Sequence, residues 1–464
     1  MYKKDSDCIV TISLETEKKN PDSLNHCFDK ILLEYIEKLE NDTELKGIII
    51  TSTEDSFLAK YDIENLFDLK KPDICFEYIE NQKSILRRIE KLKVPVVAAI
   101  NGSSFGIGME LALACNHRIG TQKESTRFEF SEVKYGILPG YGGIIRLIRT
   151  MGIEKSLKLL LGGNQFNVKE AIDFGFLDEL ASSYQAMIEK SVEWIKSNQN
   201  IVQPWDQKNF TLPEGNAHEG ENANLISLYP AIIRKKTKGN FPAPETILSI
   251  AAEGSLVDFK TASRVESRFF TELLLKKTTK NILNANWYQL KNIRSGLSRP
   301  EKPPKTTTSK VGVLGAGLMG HGISYVSAKA GLNVIMIDSN KTNADRGLKN
   351  IKNILLADIE KQNISNSAFE KTLKRITATS KYSQLDGCDL VIEAVFEDEN
   401  LKGSVTIEAE KNIKNDKVFA SNTSTIPITT LAEKSNSPEN FIGVHFFSPV
   451  NRMKLVEIIK GEKT

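Results

Sequence analysis

The segment 310–340, KVGVLGAGLMGHGISYVSAKAGLNVIMIDSN, constrains the fold more than any other part of this 464-residue chain. A short apolar run is followed by Gly315, Gly317 and Gly320 in the spacing GxGxxG, and a helix-like stretch begins there. A second apolar run ends at Asp338, and this acidic residue stands at the spacing, about twenty positions, that the fingerprint requires. The order strand, glycine turn, helix and strand predicts a Rossmann domain.

The same residue types predict the ligand of this domain. Glycines let the backbone approach a pyrophosphate, and the helix that follows offers unpaired N–H groups and the positive end of its dipole. The Asp338 carboxylate can accept a hydrogen bond from a ribose 2′-hydroxyl, whereas a 2′-phosphate would meet it unfavourably. We therefore predict NAD, rather than NADP, as the cofactor. The predicted NAD-binding residues are Gly315, Gly317, Met319 and Gly320 of the turn, together with Asp338.

The composition is that of an ordinary folded protein, with 40% hydrophobic and 26% charged residues. The net charge is only +3, from 62 basic and 59 acidic residues, so no nucleic-acid partner is expected. Five scattered cysteines without CxxC spacing indicate reduced thiols in the cytoplasm, with neither disulfides nor a metal site. No apolar stretch is long enough to predict a signal peptide or a membrane span.

The first part of the chain alternates between two kinds of pattern. Short β-branched runs at 8–14, 45–51 and 94–100 are typical of strands, and stretches with helical periodicity lie at 24–40 and 74–92. This alternation predicts an α/β domain.

The middle of the chain is different. Long helical patterns at 244–256 and 258–295 predict a helical connector, and the segment 298–310, SRPEKPPKTTTSK, predicts a boundary because it is rich in proline and threonine and has no periodicity. The length of the chain also favours about three domains. The predicted domains are 1–195 (α/β), 196–307 (helical connector) and 308–464 (Rossmann).

Two glutamates stand in glycine-rich surroundings within the first domain. Segment 98–120, AAINGSSFGIGMELALACNHRIG, is an apolar run, a turn and a helix whose first turn holds Glu110. Segment 128–147, FEFSEVKYGILPGYGGIIRL, places Glu132 before a second glycine-rich turn. The first segment and the end of the second resemble the crotonase (enoyl-CoA hydratase/isomerase) superfamily. The resemblance implies that both glutamates hold one water, which adds across the 2,3-double bond of an enoyl-CoA. Carboxyl groups around one water titrate as a pair, so one can act as base and the other as acid.

The crotonase resemblance also implies an oxyanion hole of two backbone N–H groups that polarise the thioester carbonyl. These groups fall on Tyr61 in FLAKYDIENL and Ile107 in FGIGMEL. The family usually has Gly-Ala where this chain has Lys60 and Tyr61, and Gly where it has Ile107. A backbone donor survives substitution, but a β-branched residue crowds the site, so we expect a changed rate or substrate size.

Three segments of the connector extend the resemblance. QPWDQKNF (203–210), KGNFPAPETIL (238–248) and VESRFFTELL (265–274) are similar to the inter-domain segment of multifunctional fatty-acid oxidation α subunits. Members of that family join an enoyl-CoA hydratase to a 3-hydroxyacyl-CoA dehydrogenase. The resemblance therefore covers nearly the whole chain, and it implies fatty acid β-oxidation, acyl-CoA substrates and a thiolase (β) subunit as a partner.

The dehydrogenase resemblance assigns roles to residues near the end of the chain. In HFFSPVNRMKLVE (445–457) it implies that His445 takes the proton of the 3-hydroxyl group while hydride leaves for NAD, and that Glu457 steadies the imidazolium. The segments DLVIEAVFEDENLKGSV and ASNTSTIPI also match the family's nicotinamide site. They imply roles for Glu397, Lys402 and Ser424, and Ser448 replaces an asparagine of many relatives.

Two alternatives to this enzyme remain open at the level of the sequence. The family's Rossmann domain is followed by helical domains, whereas this sequence ends at Thr464; we expect a dehydrogenase half that needs another chain, or that self-associates, and that does not oxidise substrate alone. One alternative is an enoyl-CoA isomerase, which uses the same fold. The other is a split or decayed subunit that binds NAD or acyl-CoA without catalysis.

Overall fold

The computed structural model describes residues 2–14, 24–52, 56–60, 63, 66–297, 299, 306–361, 364–414 and 416–464. The chain forms two compact units, Met1–Arg299 and Pro300–Thr464. The division falls inside the predicted boundary segment, 298–310. The helices after residue 195 belong to the same compact unit as the first sheet. The finer predicted division, into 1–195 and 196–307, remains a proposal.

The first unit contains two sheets. A six-stranded sheet has the order β1-β2-β3-β5-β7-β9 and is parallel except at β1, and a three-stranded parallel sheet has the order β4-β6-β8. The apolar runs predicted as strands are confirmed as β2, β3 and β5. The strands are β1 (Tyr2–Lys4), β2 (Ile9–Leu14), β3 (Gly47–Ser52), β4 (Ser56–Lys60), β5 (Val96–Ile100), β6 (Ser103–Gly106), β7 (His117–Thr121), β8 (Phe128–Glu129) and β9 (Glu179–Ala181).

Helices cover both faces of the larger sheet because its central strands are apolar on both sides. Val10 and Ile48 belong to the main core, and Ile9 and Ile49 pack on the other face with the helix of residues 184–197. The helices of this part are α1 (Leu24–Glu40), α2 (Pro72–Glu90), α3 (Ile107–Ala114), α4 (Gly143–Met151), α5 (Ile153–Leu160), α6 (Val168–Phe174) and α7 (Tyr184–Ser197). The predicted helices at 24–40 and 74–92 are confirmed as α1 and α2.

The connector is helical, as its pattern predicts. Asp258 caps the helix that follows it, because its side chain accepts hydrogen bonds from the amides of Lys260 and Thr261. The predicted stretch 258–295 is interrupted at Lys276, whose ψ of 134° is extended, and again by a π-helical turn at Asn284–Gln289. The helices are α8 (Gly220–Thr237), α9 (Pro242–Gly254), α10 (Phe259–Leu275), α11 (Lys277–Leu283) and α12 (Leu290–Ser295).

The second unit is the predicted Rossmann sheet. Its strand order is β12-β11-β10-β13-β14-β15-β16, and all pairs are parallel except β15 with β16. Apolar clusters lie on both faces of this sheet. The strands are β10 (Lys310–Leu314), β11 (Asn333–Ile337), β12 (Ile376–Thr379), β13 (Leu390–Glu393), β14 (Val418–Ser421), β15 (Phe441–Phe446) and β16 (Val456–Lys460). The helices are α13 (Leu318–Lys329), α14 (Lys341–Glu360), α15 (Asn366–Lys374), α16 (Glu399–Glu410) and α17 (Ile428–Ala432).

None of the helices within the described ranges has the length and apolar character that crossing a membrane requires.

Candidate active sites

Glu110 is held inside the first unit by backbone amides. It lies in the first turn of α3 and is only 1% exposed. Its Oε1 accepts hydrogen bonds from the amide of Tyr141 at 2.8 Å and from that of Gly143 at 2.7 Å. A Cβ atom at Gly143 would lie 2.8 Å from the same oxygen, so the contact requires glycine there. The glycine-rich turn of the sequence thus serves to hold this carboxyl group.

Glu132 lies at the same cavity. It begins the 3₁₀ turn Glu132–Tyr135, is 5% exposed, and its Oε2 has no hydrogen-bond partner among the described residues. Both glutamates line a cavity together with Ile107 and Phe270. The space open to the centre of a water-sized sphere is about 20 Å³. One water needs about 10–15 Å³ by that measure, so the cavity has room for one water between polar groups.

Both carboxyl groups have raised pKa values, for different reasons. Burial, followed by the charge of Glu266, raises the pKa of Glu110 to about 8, although the amides of Gly143 and Tyr141 act in the opposite direction. Burial and then the charge of Glu110 raise the pKa of Glu132 well above its ordinary value. Because both pKa values are raised, the pair keeps a proton at neutral pH, and in its singly protonated state it holds one acid and one base.

Of the two predicted oxyanion donors, one is described. Ile107 is the first residue of α3, so its N–H group has no acceptor within that helix, and its side chain lines the cavity. Tyr61 lies outside the described residues. The preceding residue, Lys60, pairs with Gly106 in the register of β4 and β6.

Each of the three glycines of the Rossmann turn has a different structural role. Gly315 has a φ of +95°, and a Cβ atom there would lie 2.7 Å from the carbonyl oxygen of Ala394. A Cβ atom at Gly320 would lie 1.7 Å from the carbonyl oxygen of Gly315, which keeps α13 close to β10. A Cβ atom at Gly317 would meet nothing within 4 Å, so this position faces open space. The turn therefore fits a pyrophosphate that approaches Gly317 at the start of α13, where Met319 also lies.

Asp338 follows β11 and holds the turn. Its Oδ2 accepts a hydrogen bond from the amide of Ala316 at 2.7 Å, and its Oδ1 accepts from the amide of Ser339 and the side chain of Asn343. Burial acts to raise the pKa of Asp338, but these hydrogen bonds hold it below its ordinary value. The side chain is thus an anion positioned beside the glycine turn.

Glu397 and Ser424 lie together, and Lys402 is buried behind them. Oε1 of Glu397 accepts hydrogen bonds from Thr423 Oγ1 at 2.7 Å and from the amide of Ser424 at 2.8 Å. Burial acts to raise the pKa of Glu397, but these bonds and Lys402 lower it to about 2. Lys402 is 1% exposed, and its Nζ lies 2.9 Å from Glu393 and 3.2 Å from Glu397. Lys402 is therefore placed to hold Glu397 in position, and Glu397 in turn holds the loop that carries Ser424.

His445 and Glu457 face each other across an antiparallel strand pair. The register of β15 and β16 places them directly opposite, and His445 Nδ1 lies 2.9 Å from Glu457 Oε2. The Glu457 side chain is 51% exposed, compared with 17% for His445. Ser448 follows β15 and is exposed. The arrangement fixes the orientation of the imidazole and leaves Nε2 available for a substrate.

Two segments of the chain match family models, and one segment lies in each compact unit. Residues 4–204 match the enoyl-CoA hydratase/isomerase family, and residues 310–464 match the NAD-binding domain of 3-hydroxyacyl-CoA dehydrogenase. The chain joins an enoyl-CoA hydratase/isomerase domain to a 3-hydroxyacyl-CoA dehydrogenase NAD-binding domain. The predicted crotonase and Rossmann domains are confirmed, and NAD is confirmed as the cofactor.

Solved structures similar to the chain include members of both enzyme classes. The (S)-3-hydroxybutyryl-CoA dehydrogenase PaaH1 of Ralstonia eutropha has 37% identity over 34% of this chain and 56% of its own, with a TM-score of 0.34. The 3-hydroxybutyryl-CoA dehydrogenase of Escherichia coli has 32% identity over 34% of each chain, with a TM-score of 0.34. The enoyl-CoA hydratase of Bacillus halodurans has 23% identity over 61% of this chain and 98% of its own, with a TM-score of 0.42. The chain spans 56%, 57% and 34% of the first three dehydrogenase structures it matches.

Sequence reasoning missed several residues that support the hydratase/isomerase domain. Glu266 of α10 pairs with Lys83 and contacts the start of α4, and Lys280 of α11 donates hydrogen bonds to the carbonyl oxygens of Leu66 and Phe67. These contacts join residues far apart in the chain, so periodicity gives no signal for them.

In the NAD-binding domain, sequence reasoning missed Glu393. This residue ends β13, is 1% exposed and accepts hydrogen bonds from Lys402 and Ser421. A carboxylate at the carboxyl end of a parallel strand, where such sheets bind ligands, was an available signal.

Proposed function

We propose that the chain hydrates 2-enoyl-CoA thioesters to 3-hydroxyacyl-CoA at the Glu110–Glu132 pair, as a step of fatty acid β-oxidation. The observation that carries the proposal is the burial of both carboxyl groups at one cavity with room for about one water. A pair that shares a proton supplies both the base and the acid that hydration needs.

The proposed step is a balanced addition. One carboxylate removes a proton from the water while the water oxygen bonds to carbon 3, and the double-bond electrons move towards the thioester carbonyl. The other carboxyl group gives its proton to carbon 2. The N–H group of Ile107, at the start of α3, is proposed to hold the developing oxyanion, with that of Tyr61 as the second donor. The roles within the pair belong to Glu110 and Glu132 jointly, because their titrations are coupled.

The test is hydration of crotonyl-CoA, followed through the loss of enoyl absorbance. Glu110→Gln and Glu132→Gln should each lower kcat by on the order of 10²-fold or more, which is the scale of general acid–base catalysis. Glu154→Gln is the control, because the Glu154 side chain is 46% exposed and pairs with Lys158 in the same helix. Wild-type rates in both dyad variants would remove the assignment.

An isomerase remains the second candidate, since the matched family includes isomerases. Isomerisation moves one proton between carbons 2 and 4, and one carboxyl group suffices for it. The raised pKa of both glutamates favours hydration, because hydration uses an acid and a base together. Product analysis with 2-enoyl and 3-enoyl thioesters distinguishes the two reactions. Acyl-CoA binding without turnover of either would support the non-catalytic alternative.

We further propose that the second unit acts on the 3-hydroxyacyl product. When bound, NAD would supply the hydride acceptor for carbon 3. The residues that would hold it are Gly315, Gly317, Met319, Gly320, Asp338, Glu397, Lys402, Ser424 and Ser448. His445 takes the hydroxyl proton, and Glu457, 2.9 Å from its Nδ1, stabilises the resulting imidazolium.

The predicted partners and compartment also remain proposals. A thiolase β subunit and a cytoplasmic location rest on the resemblance and on the cysteine pattern. A second chain that supplies a C-terminal dehydrogenase domain is supported by the exposed apolar side chains of β16, in which Val456 is 38% exposed and Ile458 is 63% exposed.

A further inference from the structure

Helix α10 brings a third carboxyl group to the hydratase/isomerase domain from outside the matched residues 4–204. Asp258 caps the start of α10, and Glu266 and Phe270 lie four residues apart on one face of it. Phe270 lines the cavity of the glutamate pair. Glu266 is completely buried. A buried carboxyl group costs free energy unless it is paired and hydrogen-bonded, so its partners indicate what it does.

Glu266 and Glu110 bind neighbouring amides at the start of α4. The amide of Gly143 donates to Glu110 Oε1 at 2.7 Å, and the amide of Ile144 donates to Glu266 Oε1 at 3.1 Å. The first amides of a helix have no acceptor within it, and the positive end of the helix dipole favours anions there. Two carboxyl groups from different helices, α3 and α10, therefore share one helix start.

The other side of this turn is held by cations. Lys83 Nζ lies 2.7 Å from Glu266 Oε2 and donates a hydrogen bond to the carbonyl oxygen of Ser263. Arg146 donates to the carbonyl oxygen of Tyr141 at 2.6 Å and to Glu90 at 2.6 Å. Residues 141–146, which supply both amides that bind Glu110, are thus fixed by contacts that involve α2 and α10.

We propose that Glu266 is a positioning residue for the Glu110–Glu132 pair, because it fixes the first turn of α4, whose Gly143 amide holds Glu110. The negative charge of Glu266 also favours the protonated form of Glu110. The inference rests on the proposed hydratase function and goes beyond it, because it assigns part of the site to the helical connector. Glu266 does not line the cavity, so it acts through Glu110 and not on the substrate.

The electrostatic part of the proposal has a direct physical basis. Burial has the largest effect on the pKa of Glu110. Among the charged residues, Glu266 has the largest effect and raises this pKa, whereas Arg146 lowers it. A like charge nearby disfavours the ionised form of a carboxyl group. Among the described residues, the charged and titratable groups that face Glu110 from the packed elements are Glu132 of the 3₁₀ turn, Tyr78, Lys83 and Glu90 of α2, Tyr141 of the glycine turn, Arg146 and Arg149 of α4, and Glu266 of α10.

A buried ion pair between α2 and α10 could equally serve stability alone, and the variants separate the two roles. Glu266→Gln keeps an oxygen that can accept from the amide of Ile144 but removes the negative charge. It also leaves Lys83 without its counter-charge, which is strongly destabilising in a buried site. Adding Lys83→Met removes that cation with a side chain of similar length. The double variant should therefore regain thermal stability while the negative charge is still missing.

The first readout is the pH profile of kcat for crotonyl-CoA hydration. Glu266→Gln and Glu266→Gln/Lys83→Met should both move the alkaline limb to lower pH by roughly one unit, which is the smaller end of the effect of a neighbouring like charge. Glu80→Gln is the matched control, because Glu80 contacts Ser267 of α10 but is not among the charges that act on Glu110. Its limb should coincide with that of the wild type.

The second readout does not depend on turnover. The infrared band of protonated carboxyl groups, titrated with pH and assigned with Glu110→Gln, should disappear at lower pH in both Glu266 variants than in the wild type. A lower melting temperature without a shift of the limb or of the band would show a purely structural role and overturn the proposal. If the wild type hydrates no enoyl-CoA, the proposed function fails, and the infrared titration still decides the role of Glu266.

Discussion

The amide of Gly143 donates a 2.7 Å hydrogen bond to Oε1 of Glu110, and the glycine is required because a Cβ atom would lie 2.8 Å from that oxygen. One backbone position thereby fixes the orientation of a buried carboxyl group that belongs to another helix. The relationship makes the glycine turn of residues 140–143 part of the catalytic geometry.

Gly143→Ala is expected to displace the Glu110 carboxyl group and to lower hydratase kcat by about tenfold or more, since small misplacements of catalytic groups are costly. Gly317→Ala in the NAD-binding domain is the control for a glycine-to-alanine change, because its Cβ atom would meet nothing within 4 Å. Steady-state rates and melting temperatures of both variants provide the measurement. Equal losses in the two variants would contradict the argument.

Hydration is expected to fall as pH rises through about 8, because burial raises the pKa of Glu110 to about 8 and the pair then loses its acid. The same shift predicts a stability effect. The folded chain keeps a proton that the unfolded chain releases above the ordinary value of 4.5. The resulting stability is fully present below that pH and is lost up to about pH 8, with a slope of about 1.4 kcal/mol per pH unit.

Thermal unfolding at several pH values measures this slope. Glu110→Gln should unfold with a smaller dependence on pH than the wild type across that window, since glutamine does not titrate. Glu154→Gln should retain the wild-type dependence, because Glu154 is on the surface. An identical pH dependence in Glu110→Gln and the wild type would show that Glu110 is already ionised in the folded chain at neutral pH.

Lys280→Met is expected to loosen the loop that lines the hydratase cavity. Lys280 Nζ donates hydrogen bonds to the carbonyl oxygens of Leu66, Phe67 and Leu69 at 2.7, 2.7 and 3.0 Å, and Leu66 lines the cavity. Loss of these charge-assisted bonds should raise KM severalfold and accelerate amide exchange in this loop. Lys277→Met, on the same helix with an exposed side chain, should change neither. Unchanged amide hydrogen exchange in Lys280→Met would show that these hydrogen bonds do not hold the loop.

NAD is expected to bind more tightly than NADP, because the anionic Asp338 accepts hydrogen bonds and repels a 2′-phosphate. Calorimetry with both nucleotides measures the preference. Asp338→Ala should reduce this preference by about tenfold, because the 2′-hydroxyl of NAD loses its acceptor and the 2′-phosphate of NADP no longer meets a carboxylate. Equal affinities in the wild type would remove the assignment of Asp338.

Oxidation of 3-hydroxyacyl-CoA at the His445–Glu457 pair is expected to be weak while the strand that carries Glu457 stays exposed. Glu457 is 51% exposed and Ile458 is 63% exposed, whereas hydride transfer needs substrate held at near-attack distance in a site that excludes water. NADH production should rise when a separately expressed helical domain from a dehydrogenase relative is added to cover this strand. Robust oxidation without it would show that the strand pair suffices. His445→Gln should abolish any activity that the addition restores.

Features decided by neighbouring residues could be predicted from the sequence. The strand, glycine turn and helix at 310–329 depend on contacts within a short segment, and so do the strands β2, β3 and β5 and the position of Glu110 in the first turn of α3. The interruption of the connector helix at Lys276 was not predicted, because the helical periodicity continues on both sides of it.

The sequence by itself determined the two folds, the NAD-binding turn and the candidate glutamates, because glycine spacing and apolar periodicity act over a few residues. Only the tertiary structure brought Glu266 to the amide of Ile144, 122 positions away, and Lys280 to the carbonyl of Leu66, 214 positions away. It also decided that Lys402 is buried between two glutamates. Such contacts arise from the packing of whole elements, and the proton affinity of a buried carboxyl group depends on the charges that this packing places around it.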